Sequence, residues 1–200
     1  MPATHLHHHA PRILPREFYF ASPKVVARKL LGKLITHQLN GERLTGRIIE
    51  SEAYLGRCDP ASHAYGGETA RNAVLFGPPG YSYVYFIYGM HYCLNFSCQK
   101  QGDPGGVLIR ALEPVAGLET MTRLRGLSGL GSRKLLCSGP GRLCQALGIT
   151  LAQDNNLDVT VVDSRLQVLD DGSPPPSILV TPRIGISKAE DFPLRFVVKG

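Results

Sequence analysis

Residues 81–98, YSYVYFIYGMHYCLNFSC, decide the fold. Aromatic and β-branched residues run on both sides of Gly89-Met90, so the stretch predicts two strands of a β-hairpin. The tip, Tyr88-Gly89-Met90, holds an aromatic ring and a thioether where hairpins ordinarily expose polar groups. Upstream, residues 47–55, RIIESEAYL, alternate with period two and predict a strand. On that reading Ile48, Glu50, Glu52 and Tyr54 share one face, and Ile49, Ser51 and Ala53 the other. Residues 106–112, GVLIRAL, predict a third strand.

Helices are expected around these strands. Ser22-Pro23 supplies an N-cap and a first-turn proline to residues 24–35, where Val25, Val26, Leu30, Leu34 and Ile35 recur at helical spacing. Pro114 is read as starting a helix over 114–125. Pro140 starts another, ending at a C-capping Gly148. The tail alternates short β runs (157–163, 165–170, 177–182 and 193–200) with the turn cluster DDGSPPPS. The expectation is an α+β fold: a single compact domain with a curved, open-barrel-like antiparallel sheet, surrounding helices and a protruding hairpin.

With 200 residues, 43% of them hydrophobic and 19% charged, the chain suffices for one substantial core. Residues 1–10, with His5 and His7 to His9, are read as a flexible His-rich tail, and 11–200 as the single domain. No apolar run reaches the roughly 18 residues of a membrane span, and no secretory signal is visible. An intracellular monomer is expected, cytoplasmic or nucleoid-associated. Cys58, Cys93, Cys98, Cys137 and Cys144 form no Cys-x-x-Cys pair and are expected as free thiols.

The net charge of +6 is uneven. Residues 1–50 carry eight Lys/Arg against three acids, and residues 110–145 six against two. Between them, residues 51–109 hold three basic and four acidic groups. Two basic blocks flanking a neutral, aromatic segment suit a polyanion held on either side of an uncharged reading head.

Glu50 and Glu52, one residue apart on a strand, stand about 7 Å apart at ~3.3 Å per residue. Tyr54 shares their face, and Tyr83, Tyr85 and Tyr88 lie in the hairpin. An acid beside aromatic faces suits a flat ring, since an extruded base needs a stacking platform and its anomeric carbon an activated water. His63, in a Gly-rich loop, is placed to hydrogen-bond a purine nitrogen. Two other readings stay open. Glu50, Glu52, Asp59 and His63 could serve as hard-ion ligands of a metal-dependent hydrolase. Alternatively, the tyrosines could stack bases in a non-catalytic binding module.

The blocks RIIESEAYLGRCDPASHA (47–64), YVYFIYGMHYCLN (83–95), VLIRALEP (107–114) and LCSGP-GRLCQAL (136–147), in that order, resemble the alkyladenine (3-methyladenine) DNA glycosylase family. The resemblance runs from about Phe18 to Gly200. It implies a base-excision repair enzyme that flips alkylated or deaminated purines from double-stranded DNA, hydrolyses the N-glycosidic bond and leaves an abasic site. Neither cofactor nor metal is implied. Carried onto this chain, it makes Glu52 the general base, with Arg110 helping to hold the water. Tyr54, Ala61 (through its main chain), His63, Tyr85 and Asn95 line the base pocket, Asn95 standing where a guanine 2-amino group would go. Tyr88 is the intercalating wedge, with Met90 beside it. Arg71, Arg125, Arg133, Lys134 and Arg142 are candidates for phosphate contacts.

Overall fold

A computed structural model describes residues 10–87, 89–128 and 133–199, apart from the side chain of Lys134. Tyr88 and the histidines of the first nine residues therefore lie outside the described residues.

Chain order begins with strand β1 (Arg12–Ile13) and helix α1 (Pro23–Leu30). Pro23 occupies the first turn of α1 as the sequence suggests, and Val26, Ala27 and Leu30 are buried. The helix stops earlier than its periodicity predicts. Gly32 turns the chain at φ +85°, and Leu34 and Ile35 open strand β2 (Leu34–Leu39) instead. Val25, read as part of the apolar face, is 39% exposed. Apolar residues four apart fit both periods here, and strand pairing decides between them.

β2 turns into β3 (Glu42–Tyr54) through Asn40-Gly41, with φ of 49° and 83°. Two left-handed residues between paired Leu39 and Glu42 make the tight hairpin turn that an Asn-Gly dipeptide favours. β3 then pairs with β6 (Gly106–Ala116) and, at Glu50–Glu52, also with β9 (Arg195–Val198). The ladder with β6 breaks register on either side of Glu50, and Ile49 and Arg110 have no Cα partner. The break corrects the expected faces. Ile48 joins the core with Ala53, Ile109 and Leu112, not the face of Glu52 and Tyr54. A register irregularity of this kind re-aims side chains, which period-two reading cannot foresee.

Pro114 also departs from expectation. It sits inside β6 opposite Gly46, beside a third register shift, and starts no helix. Proline is tolerated in a strand at such irregularities. Helix α2 (Leu118–Leu124) begins only after Gly117, at φ 78°. The hairpin is formed by β4 (Ser82–Ile87) and β5 (His91–Ser97), and β5 pairs onward with β6. After α3 (Arg133–Leu136), α4 (Pro140–Leu147) ends at Gly148, φ 68°, as its sequence predicts. α5 (Leu151–Asp154) follows, then β7 (Leu166–Asp170) and β8 (Ile178–Thr181). Residues 157–163, expected as a strand, form turns with a single bridge from Asp158 to Tyr81.

All pairings are antiparallel, in the order β1-β7-β2-β3-β6-β5-β4, with β9 bonded to β3 and β8 to β9. The result is an α+β single compact domain in which a curled sheet forms a half-barrel. The main core lies between the sheet and α1, α2 and α4. A smaller cluster, Ala64, Leu75, Phe76 and Tyr83, anchors the loop that follows β3. Cys58 is exposed, and the other four cysteines are buried as free thiols.

That loop leaves β3 through Gly56, at φ +69°, where an added Cβ would lie 1.9 Å from the Pro104 carbonyl oxygen. Gly56→Ala is expected to lose more than about 2 kcal/mol of stability, combining left-handed strain with a backbone clash. Denaturant midpoints of the two proteins check it.

Candidate active site

The C-terminal end of β3, the loop after it, the hairpin, β6 and the segment between β8 and β9 converge on one cavity of about 390 Å³. That is the scale of a small-molecule pocket. Tyr54, His63, Tyr83 and Tyr85 supply aromatic walls, with Ala61, Asn95, Arg110, Arg142 and Ile184 among the other lining residues. His63 meets Tyr85 edge-on, ring centroids 4.6 Å apart, and its Nδ1 lies 2.9 Å from the Tyr83 hydroxyl. Partial burial, then the Arg71 cation, pushes the His63 pKa down and favours the neutral ring.

Glu52 lies behind this wall with no exposed surface. Its Oε2 accepts from the Tyr54 hydroxyl at 2.9 Å, and its Oε1 from the Ile184 N–H at 2.9 Å. Arg110 Nη1 is 3.3 Å from Oε1. Burial pushes the Glu52 pKa up, Arg110 and the two hydrogen bonds pull against it, and Glu50 adds to the rise. The outcome is a carboxyl above the usual range yet surrounded by partners for its ionised form. Tyr54 is raised too, chiefly by burial and then by the Glu52 charge, so its hydroxyl stays protonated and donates.

Glu50 holds the arginine that faces Glu52. Its Oε1 accepts from Arg110 Nε at 2.9 Å and from Arg195 Nε at 2.6 Å. Burial disfavours the Arg110 charge, but Glu52 and then Glu50 outweigh it and raise the pKa. Arg110 Nη1 also donates to the Ile184 carbonyl at 3.4 Å. The two carboxylates that sequence spacing leaves equivalent thus differ: Glu52 is sealed at the cavity wall, and Glu50 clamps two arginines behind it.

The loop after β3 is held by Asp59, whose Oδ2 accepts from Leu55 N–H at 3.0 Å and Oδ1 from Ala61 N–H at 3.1 Å. Of the Ala61 main chain, the N–H is therefore engaged within the loop. Asn95 donates from Nδ2 to the Tyr83 carbonyl at 3.1 Å. Arg183, fully buried, binds Asp59 through both terminal nitrogens, at 2.5 and 2.8 Å. For Asp59, burial raises the pKa, but the Arg183 and backbone hydrogen bonds together bring it below the usual range.

The hairpin tip projects Met90, 69% exposed. Around the mouth, Arg71 is exposed, with its guanidinium 5.6 Å from the Tyr85 ring centre, and Arg142 donates to Ser138 Oγ at 3.2 Å. Arg133 is exposed on α3. Arg125 is half-buried and turned toward the Leu136 carbonyl at 3.4 Å. Lys134's side chain and Tyr88 are outside the described residues. Sequence reading missed Ile184, Glu50's clamp and the Arg183–Asp59 pair. A main-chain N–H leaves no residue-type signal, and both ion pairs join positions distant in the chain.

The metal-ligand reading loses its donors. Glu50 and Glu52 face arginines, Asp59 is saturated by Arg183 and backbone, and His63 bonds Tyr83. Among the described residues no group of three or more His, Cys, Asp or Glu side chains is arranged to hold an ion. No helix among them is long and apolar enough to cross a membrane.

The chain is 51% identical over 200 residues to a protein of Koribacter versatilis, covering 100% of this chain and 95% of that one. It is 47% identical over 196 residues to one of Burkholderia lata, covering 96% and 92% respectively. It is also 47% identical over 189 residues to one of Carboxydothermus hydrogenoformans, covering 94% and 95%. All three carry the provisional name 3-methyladenine DNA glycosylase. The family model described as methylpurine-DNA glycosylase matches residues 17–200, which take in every element that builds the cavity. The chain belongs to the methylpurine-DNA glycosylase family.

Proposed function

We propose that this protein accepts a damaged purine, turned out of double-stranded DNA, into the cavity between Tyr54, His63 and Tyr85, and hydrolyses its N-glycosidic bond to leave an abasic site. The observation that carries the reading is a buried carboxylate, Glu52, with a raised pKa, set against Arg110 and Ile184 at the wall of an aromatic pocket. A purine stacks on aromatic faces whatever its lesion, at roughly 1–3 kcal/mol per base. Water reaches Glu52 by displacing one of the bonds that now occupy the carboxylate. As its oxygen attacks the anomeric carbon, Glu52 takes the proton and the purine departs with the bonding electrons. A cationic base such as 3-methyladenine leaves neutral, and a neutral one such as hypoxanthine leaves as an anion that takes its proton from solvent water.

Asn95 stands where a guanine 2-amino group would meet it. Met90 and Tyr88 would enter the base stack at the gap left by the flipped nucleotide. Arg71, Arg125, Arg133, Lys134 and Arg142 are candidates for flanking phosphates, and Arg71, Arg133 and Arg142 are exposed. The described cavity wall includes no lysine to form an imine with the sugar, which supports glycosylase chemistry without strand cleavage.

A duplex carrying one hypoxanthine or 3-methyladenine, treated with enzyme and then alkali, is expected to break at the lesion. Strands left intact across such lesions overturn the proposal. Glu52→Gln keeps the shape and acceptor oxygen but not the base. It is expected to lower the single-turnover rate by about a thousandfold or more while leaving damaged-duplex affinity nearly unchanged. The active form is the carboxylate, so activity should fall as pH drops through a pKa above the ordinary glutamate value. Arg110 favours the ionised form, and Arg110→Gln should therefore move the acid limb of the kcat/KM profile to higher pH. A limb that stays put in that variant excludes Glu52 as the titrating base.

A further inference from the structure

Tyr54 has two faces, and only one is free for a base. Arg183 lies over its ring, with Cζ 4.7 Å from the centroid, inside the range of a cation–π contact. Several bonds fix it there. Beyond the two to Asp59, Nη1 donates to the Ala53 carbonyl at 3.0 Å and Nη2 to Ala189 at 3.4 Å. Its Nε has no hydrogen-bond partner among the described residues, although it is buried. Arg183 thus ties the end of β3, the loop of Asp59 and the segment carrying Ile184 into one unit behind Tyr54.

We infer that Arg183 is a positioning residue that sets lesion preference, biasing the Tyr54 face of the pocket against cationic bases and toward neutral ones. This role presupposes that the cavity is a glycosylase site. A cation on one face of a ring draws on the same π density that a cationic base would use on the other, and the two like charges also repel through the ring. Asp59 weakens this field but does not cancel it, because paired charges sit at different points in a medium of low dielectric. A neutral base such as hypoxanthine or ethenoadenine meets the same flat surface and loses nothing to that charge. Aromatic walls alone would favour cations; the guanidinium behind Tyr54 works against that preference.

Two variants separate charge from packing. Asp59→Asn keeps the shape and leaves Arg183 less neutralised. The double variant Asp59→Asn with Arg183→Met removes the ion pair together, so that neither partner is left as an unpaired buried charge. For each, single-turnover release is measured for 7-methylguanine, a cationic base, and for hypoxanthine, a neutral one, in the same duplex context. The ratio of the two rates, relative to the unsubstituted enzyme, is the readout. It should fall by about threefold or more in Asp59→Asn and rise by about threefold or more in the double variant. A loosened loop would slow both lesions together, so ratios that stay constant overturn the inference. Opposite shifts uphold it. Should the double variant fail to fold, the sign in Asp59→Asn alone decides. An unsubstituted enzyme that releases neither base instead overturns the reading of the cavity as a glycosylase site, which is a distinct result.

Discussion

A carboxylate with no exposed surface is the constraint from which the rest of the site follows. An ionised group in a protein interior is tolerated only when its lone pairs are taken and its charge is answered. Glu52 meets this demand with three partners from three places: the Tyr54 hydroxyl two residues on, the Ile184 N–H, and the Arg110 guanidinium on the neighbouring strand. Arg110 is itself fixed by Glu50, which also binds Arg195. The network spans β3, β6, β9 and the segment before β9, and it exists only because β3 is bonded to β6 and β9 over the same residues. The register break at Ile49 and Arg110 gives that crossing its shape. It keeps Ile48 in the core while Tyr54 lines the cavity and Glu52 lies directly behind it.

The second shaping element is the loop after β3. A loop that must present His63 and Ala61 beside an aromatic wall needs its backbone fixed, and Asp59 does this through Leu55 and Ala61 while Arg183 holds Asp59. Asn72 adds a further tie, donating to the His63 carbonyl at 2.8 Å. The small core of Leu75, Phe76 and Tyr83 lies beneath. Aromatic residues here do two jobs, since Tyr83 seals that core and also lines the cavity. Cavity lining and core packing overlap at the base of the hairpin, while Met90 at its tip is exposed.

Where local pattern and long-range pairing agreed, the sequence was readable. The β4–β5 hairpin, the strand through Glu52, and helix α4 with its flanking Pro140 and Gly148 follow from periodicity and end signals. Where they conflicted, pairing prevailed. Leu34 and Ile35 fit a helix period but extend β2, and Pro114 looks like a helix start but lies in β6. Residues 157–163 are rich in β-formers yet gain no partner strand beyond one bridge. Asn40-Gly41 was an available hairpin signal in the sequence that periodicity alone passed over. Of the residue types that carry recognisable chemistry and that the family resemblance gathers, the fold brings Tyr54, His63, Tyr85, Asn95 and Arg110 to one cavity, with Glu52 behind its wall.

The sequence by itself determined the chemical inventory and the family: an acid among aromatics, two basic blocks and a set of ordered motifs, all properties of neighbours along the chain. Only the tertiary structure decided which acid is sealed and which is a clamp, because Glu50 and Glu52 differ in what approaches them from β6, β9 and Ile184, between 60 and 145 residues away. It also decided that Arg183, 124 residues from Asp59, stands behind Tyr54. Burial and charge pairing depend on distance in space, and no local pattern encodes a partner so far along the chain.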